Sequence, residues 1–128
     1  MKVMIIDSAT EARRQIRMSI GAIPCEVCES ASAEDAIQQC DRFQPDCLTI
    51  GLRLAGMSGF SAMRVLRALC PTARMIVVAE MDSVPVRRLA RAAGASHFVP
   101  REDLRALAGH LRDIDRHSAS RRAPQVPQ

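Results

Sequence analysis

The side chains that could bind a ligand or take part in a reaction lie where short apolar runs of the sequence end. The positions at these ends are Asp7, Ser8, Gly51, Ala79, Glu80 and Arg101. Asp7 offers oxygen ligands for a cation, and Arg101 offers a planar set of donors for a carboxylate or a phosphate. Gly51 and Ala79 offer no functional group. No nucleophile with an adjacent base, and no second carboxylate beside Asp7, is visible at these ends, so the pattern argues against an enzyme active site.

Five apolar runs alternate with stretches of helical spacing. The runs are KVMIID (2–7), PCEVCE (24–29), DCLTIG (46–51), ARMIVVA (73–79) and SHFV (96–99). Several of them alternate little between apolar and polar residues, which is typical of strands buried on both faces of a parallel sheet. Strand–helix alternation with short connections predicts right-handed crossovers and a doubly wound α/β domain, in which ligands bind at the carboxyl ends of the strands.

The intervening segments carry helix boundary signals. Ser32 is placed to cap the second helix, and Gly94 suits the position just after the fourth. The fifth helix has an apolar stripe that ends at Ile114. After Asp115 the segment RHSASRRAPQVPQ has no apolar periodicity and is rich in Pro, Ser, Gln and Ala. We therefore predict one domain over residues 1–115 and a flexible tail, or the start of a linker, over 116–128.

Composition limits the class of protein and its location. The chain has 128 residues, of which 48% are hydrophobic and 25% charged, as in a single globular domain. Asp7 interrupts the first apolar run, and no run approaches the roughly 20 residues of a membrane span, so we expect a cytoplasmic protein. The formal net charge is +4, but three arginines follow Asp115 and leave residues 1–115 near +1. That balance disfavours a nucleic-acid binder.

Cysteine and histidine show no pattern of a redox or metal site. The five cysteines are odd in number and irregularly spaced, which predicts reduced thiols rather than disulfides. Cys25 and Cys28 are three residues apart in a predicted strand, so their side chains should point to opposite faces and share neither a metal nor a disulfide. His97, His110 and His117 have no ligand-like neighbours in sequence and are expected at the surface.

The order of these segments resembles the response-regulator receiver domain of bacterial two-component signalling. The resemblance covers residues 2–115 and is most specific at PD (45–46), LRLAGMSG (52–59) and GASHFVPR (94–101). It implies a flavodoxin-like, three-layer sandwich of five helices around a five-stranded parallel sheet in the order 2-1-3-4-5. In that family two acids hold Mg²⁺, an aspartate accepts a phosphoryl group, and a hydroxyl and a lysine bind the phosphoryl oxygens.

This sequence departs from the family at almost all of those positions. Asp7 matches the first acid, but Ser8 stands at the second and Gly51 at the phosphoacceptor. Ala79 stands at the hydroxyl position and Arg101 at the lysine. The resemblance therefore implies a degenerate receiver with no catalytic residue, no cofactor, and weak or absent Mg²⁺ binding.

Two interpretations of this pocket are open from the sequence. Its residues have drifted passively, and the domain survives as a scaffold, or Arg101 pairs directly with Asp7 and fixes a switch in one state. Phe98 stands where the family often has a switch aromatic, and the missing hydroxyl at Ala79 would uncouple it from the pocket.

The surface through which receivers commonly signal is rich in arginine here. The members of this predicted face are Arg87, Arg88, Arg91, Arg105 and Arg112, with His97 at its edge. Arginine suits forked pairing with carboxylates, so we expect an acidic protein partner (a kinase, a phosphotransfer domain or a transcription component) or a homodimer.

The function that fits best is phosphorylation-independent signalling through protein–protein contacts. The alternatives are the receiver part of a longer DNA-binding regulator and a weak electrostatic binder of nucleic acid. An enzyme ranks last because the fold alone implies no chemistry.

Overall fold

The structure is a computed structural model that describes the backbone of residues 1–122 and the side chains of residues 1–117. The strands are Lys2–Ile6 (β1), Glu26–Ser30 (β2), Cys47–Ile50 (β3), Arg53–Leu54 (β4), Met57–Ser58 (β5), Arg74–Ala79 (β6) and His97–Pro100 (β7). The α-helices are Thr10–Ser19 (α1), Ala33–Phe43 (α2), Gly59–Leu69 (α3), Val84–Ala92 (α4) and Arg105–Arg122 (α5), with a 3₁₀ turn at Arg101–Asp103. Within the described residues, none of these helices combines the length and apolar character needed to cross a membrane.

Five strands form one parallel sheet in the order β2-β1-β3-β6-β7. Since β6 and β7 are the fourth and fifth predicted strands, the doubly wound sheet and its order 2-1-3-4-5 are confirmed. The short strands β4 and β5 form a separate antiparallel hairpin in the loop after β3. The sequence pattern did not predict that hairpin.

The sheet separates two apolar layers because successive strand residues face opposite sides. Met4 and Ile6 of β1 pack with α2, α3 and α4, whereas Val3 and Ile5 pack with α1 and α5. This is the predicted three-layer sandwich. It brings the carboxyl ends of β1, β3, β6 and β7 to one edge of the sheet, where a functional site is expected.

Serine caps begin the helices that pack on one side of the sheet. The hydroxyls of Ser32, Ser58 and Ser83 each accept a hydrogen bond from a backbone N–H in the first turn of α2, α3 and α4. The predicted cap at Ser32 is therefore confirmed. Gly94 follows α4 with a φ of 113°, a conformation that other residues rarely adopt, and confirms the predicted helix end.

Helix α5 is longer than the sequence pattern predicted. It continues to Arg122, so residues 116–122, which we predicted as the first part of a tail or linker, are helical. The apolar stripe does end at Ile114, but a helix can continue without apolar contacts where no glycine or proline interrupts it, and the next proline is Pro124. The remainder of the predicted tail, residues 123–128, lies outside the described residues.

The prediction of reduced thiols is wrong for one cysteine pair. Cys40 of α2 and Cys70, which follows α3, form a disulfide with Cα atoms 7.1 Å apart. Packing of α2 against α3 brings them together across 30 positions of sequence, which their spacing did not reveal. Cys25 and Cys28 are free and pack into opposite layers, as expected from strand geometry. Burial raises the pKa of the free Cys47 to about 12, so its thiol is inert at neutral pH.

Thr49 of β3 is a core position at which a substitution should change the free energy of unfolding. Its side chain is fully buried, and its hydroxyl is the one buried side-chain polar atom among the described residues without a hydrogen-bond partner. Because an unpaired buried hydroxyl costs free energy, we expect Thr49→Val to raise the free energy of unfolding by about 1 kcal/mol. Urea denaturation measures this change. The control, Thr49→Ser, keeps the hydroxyl, loses a methyl group and should be less stable than the natural chain. A destabilised valine variant would contradict the prediction.

Candidate functional site

A pocket of about 330 Å³ lies at the carboxyl edge of the sheet. It contains the six positions that the sequence pattern singled out, Asp7, Ser8, Gly51, Ala79, Glu80 and Arg101. The rest of its wall is formed by Ala9, Leu52, Arg53, Val78, Met81 and Val86. The parallel sheet therefore brings together residues that are up to 94 positions apart in sequence.

Asp7 is the most buried charged group of this pocket, with 4% of its surface exposed. It directly follows β1, and its backbone N–H donates to the carbonyl of Ser30 at the end of β2. One carboxylate oxygen, Oδ1, accepts from the backbone N–H of Ala9 at 2.9 Å. Arg13 of α1 donates to the Asp7 carbonyl at 2.6 Å. These contacts fix the direction in which the second carboxylate oxygen points.

Arg101 supplies the partner for that second oxygen. Its Nη2 donates to Oδ2 of Asp7 at 3.2 Å, and its Nη1 donates to Oε1 of Glu80 at 2.9 Å. The Asp7–Arg101 contact is the one considered from the sequence, and it is present in the structure. The Asp7 side chain is only 6% exposed whereas that of Glu80 is 59% exposed, so the pair with Asp7 is shielded from water and the pair with Glu80 is screened by it.

Gly51 leaves the space that the Asp7 carboxylate occupies. A Cβ atom at position 51 would lie 2.7 Å from Oδ2 and 3.2 Å from Cγ of Asp7, closer than real contacts allow. The backbone N–H of Gly51 also donates to the carbonyl of Ile6 at 2.9 Å, which holds the two strand ends together. A side chain at position 51 would therefore displace the carboxylate of Asp7 from its present position.

The oxygen ligands present do not fit Mg²⁺. Both carboxylate oxygens of Asp7 already accept hydrogen bonds. The hydroxyl of Ser8, at the position of the second acid, donates to the backbone carbonyl of Arg53 at 3.1 Å. Ala79 adds no oxygen from its side chain, and in the described part of the chain no group of three or more potential ligands is arranged to hold a metal. Mg²⁺ is usually held by one or two carboxylates and several waters, and here both carboxylates that line the pocket, Asp7 and Glu80, are paired with Arg101.

Four of the six residues of the predicted signalling face line one groove. Arg87, Arg88, Arg91 and His97 line a groove between α4 and β7, whose apolar wall includes Val84, Ala95 and Phe98. Arg105 and Arg112 lie exposed on α5 and do not line this groove.

Arg87 is already engaged within the chain. Its Nε and Nη2 donate to the two carboxylate oxygens of Asp82 at 2.5 and 2.8 Å. Its guanidinium carbon also lies 4.8 Å from the centre of the Phe98 ring. The hydrogen bond from Arg87 lowers the pKa of Asp82 below its ordinary value. Arg87 is therefore paired within the chain in this structure, and its role in the predicted interaction face stays a prediction.

Two of the histidines form a contact that the sequence did not suggest. The rings of His97 on β7 and His110 on α5 are 4.4 Å apart, centre to centre, with Arg74 and Asp113 nearby. Burial lowers the pKa of His97, and the charges of His110 and Arg74 lower it further, while Asp113 opposes them. One signal was available: His110 adjoins the buried stripe of α5, and that helix follows β7 directly.

The fit between Gly51 and Asp7 generates the first prediction for this pocket. We expect Gly51→Ala to lower the free energy of unfolding by about 1–3 kcal/mol, because the new methyl group displaces a carboxylate held on both oxygens. In an Asp7→Ala background the same change should cost less, with a coupling of about 1 kcal/mol or more. Urea denaturation of the two single variants and the double variant measures the coupling. Equal costs in both backgrounds would show that the carboxylate does not constrain position 51.

The histidine contact generates a prediction about pH. An unfolded histidine binds a proton near pH 6.5, and the lowered pKa means that folded His97 binds it only at lower pH. The contribution of His97 is therefore fully present above about pH 6.5 and is lost as the pH falls through the folded-state pKa. We expect the pKa of His97, followed by NMR, to rise when His110 is replaced by glutamine. A His97 pKa that stays unchanged in His110→Gln would contradict this.

Comparisons with known proteins agree with the architecture. A sequence model of the response regulator receiver domain matches residues 3–112. The chain is 26% identical over 99 residues to the chemotaxis protein CheY of Thermotoga maritima, covering 77% of this chain and 82% of that protein. It is 28% identical over 104 residues to a protein-glutamate methylesterase/protein-glutamine glutaminase of Aliivibrio fischeri, covering 79% of this chain and 28% of the relative.

A third relative is matched over most of this chain. The chain is 31% identical over 130 residues to the cyclic di-GMP phosphodiesterase response regulator RpfG of Xanthomonas campestris, covering 94% of this chain and 34% of the relative. This chain thus spans about a third or less of the methylesterase and phosphodiesterase relatives. The solved structure of a CheY-like response regulator receiver domain protein from Methanospirillum hungatei covers 93% of this chain and aligns over 97% of its own, with a TM-score of 0.82 and 17% identity. The chain belongs to the response regulator receiver family.

Proposed function

We propose that this chain is a pseudo-receiver, a signalling domain that binds a protein partner without being phosphorylated. The observation that supports this most directly is the position of the Asp7 carboxylate, which fills the space over Gly51 and is held there by Arg101. In the family the corresponding space belongs to the aspartate that receives the phosphoryl group. Here an ion pair within the chain takes its place, and the charge on Arg101 needs no phosphate to be balanced.

The neighbouring oxygen-bearing side chains offer no substitute acceptor. Thr49 lies two residues before Gly51 and is fully buried among the apolar residues of the sheet. Asp46 precedes β3 at the opposite end of the strand, where it accepts from the backbone N–H of Lys2 at 2.7 Å. Glu80 is exposed and paired with Arg101. A nucleophile must reach the phosphorus atom in line, and none of these three side chains occupies the position at Gly51 where the family has its acceptor.

The partner that fits the exposed surface is an acidic protein. Arg88 and Arg91 are exposed at the groove between α4 and β7, and neither has an ion-pair partner among the described residues. Val84 and Phe98 add an apolar strip between α4 and β7. An acidic segment with an apolar face would neutralise these charges and cover that strip. Such a module would act in the cytoplasm on a kinase, a phosphotransfer domain or a transcription component.

A second candidate function places the same receiver within a longer protein. The methylesterase and phosphodiesterase relatives are three to four times as long as the matched segment, which covers 28% and 34% of them. In this candidate the same receiver is one part of a longer regulator, in which the groove meets a neighbouring domain of its own chain. The test of phosphorylation below applies equally to both candidates.

The proposal predicts that Mg²⁺ and a phosphoryl mimic leave the pocket unchanged. We expect the amide resonances of Asp7, Ala79 and Phe98 to stay in place when Mg²⁺ and then beryllofluoride are added to the labelled protein, because one already paired carboxylate cannot assemble the site. A phosphorylatable receiver under the same conditions serves as the positive control. Saturable shifts at these three residues would overturn the proposal.

A further inference from the structure

We propose that Asp82 and Arg87 form a latch that positions Phe98 in the groove between α4 and β7, and that a carboxylate of the partner opens it by replacing Asp82. This inference rests on the proposed acidic partner and adds how the groove is regulated. The latch consists of Asp82, Arg87 and Phe98. It lies outside the pocket around Asp7, since none of these three residues lines that pocket.

The ion pair of the latch has the geometry of a specific contact. Asp82 stands one residue before the cap of α4, and Arg87 lies in the second turn of that helix. The two parallel hydrogen bonds, 2.5 and 2.8 Å long, use both oxygens of the carboxylate and two nitrogens of the guanidinium. This forked arrangement fixes the plane of the guanidinium as well as its position.

The same guanidinium covers the ring of Phe98. The distance of 4.8 Å from its carbon to the ring centre is within the range of a cation–π contact. Phe98 is partly buried, and it lines the groove together with Val84 and Ala95. Arg87 therefore connects the segment after β6 with a side chain on β7, and the plane set by Asp82 determines where the ring can lie.

The latch is exposed enough to be exchanged. The side chains of Arg87 and Asp82 are 48% and 35% exposed, and ion pairs at that exposure contribute little to stability. Arg88 and Arg91 line the same groove and attract acidic groups to it. A carboxylate that arrives there can replace Asp82 and keep Arg87 paired, while the released carboxylate of Asp82, which is already 35% exposed, is left to be hydrated.

Exchange of the Asp82–Arg87 pair would also affect the pocket around Asp7. Asp82 follows Glu80 and Met81, which line the pocket, and Glu80 shares Arg101 with Asp7. Release of Asp82 removes one of the two ion pairs that hold this segment and leaves the pair of Glu80 with Arg101. The docking groove and the Asp7–Arg101 contact are thereby linked through three consecutive residues.

The test compares Asp82→Asn with Glu11→Gln in the full chain. Glu11 is also an exposed acid paired with an arginine, Arg14, but it lies on α1, so both variants change the net charge equally. The probe is a synthetic peptide of glutamate and leucine at helical spacing, and its affinity is measured by NMR titration. We expect Asp82→Asn to bind it about two- to fivefold more tightly than the natural chain, because the internal competitor is lost. Glu11→Gln should bind as the natural chain does. The ring resonances of Phe98 should shift in Asp82→Asn without any peptide.

The outcomes separate this inference from the proposed function. If the peptide binds the natural chain and Arg88→Ala/Arg91→Ala abolishes binding, the acidic-partner function stands. Equal affinities and an unmoved Phe98 ring in Asp82→Asn and Glu11→Gln would then overturn the latch alone. If the peptide binds neither the natural chain nor Asp82→Asn, both the acidic partner and the latch are overturned.

Discussion

A buried carboxylate at the edge of a parallel sheet is the constraint on which this site depends. Asp7 is 4% exposed, and a carboxylate so far from water needs donors on its oxygens. The backbone N–H of Ala9 satisfies Oδ1, and Arg101 satisfies Oδ2. Gly51 makes this arrangement possible, because a residue without a Cβ leaves room for the carboxylate of Asp7 to meet Arg101. Asp7, Gly51 and Arg101 thus depend on one another, so the residues at positions 51 and 101 are not two separate losses.

This interdependence bears on how the pocket is interpreted. If the pocket had drifted passively, the carboxylate of Asp7 would have no specific partner. Replacing Asp7 by a neutral residue would then remove the cost of burying an unpaired charge. In the structure, Arg101 bridges Asp7 and Glu80 in one planar contact. Such a bridge joins the ends of β1, β6 and β7 without any ligand. The Asp7–Arg101 pair is the contact that the fixed-switch interpretation predicts, whereas passive drift predicts no such contact.

The sequence was sufficient for features that follow from backbone periodicity and strand direction. The apolar runs around Met4, Leu48 and Val77 identified the parallel strands, and parallel strands necessarily bring Asp7 and Arg101 to one edge. The contacts that it missed join side chains from different elements, whose meeting depends on helix rotation and side-chain direction rather than on spacing. The disulfide, the His97–His110 contact and the engagement of Arg87 by Asp82 are of this kind. The extension of α5 was missed because helix continuation beyond the core leaves no apolar pattern.

The segment after β6 connects the pocket around Asp7 with the groove between α4 and β7. Glu80 and Asp82 are separated by one residue, and each pairs with an arginine from a different element, Arg101 after β7 and Arg87 on α4. Both carboxylates are partly exposed, so the segment is held by contacts that are individually weak and jointly specific. In a phosphorylatable receiver a ligand in the pocket would set the position of such a segment. Here the chain's own arginines set it, so under the proposed function any change of state must begin at the protein surface rather than in the pocket.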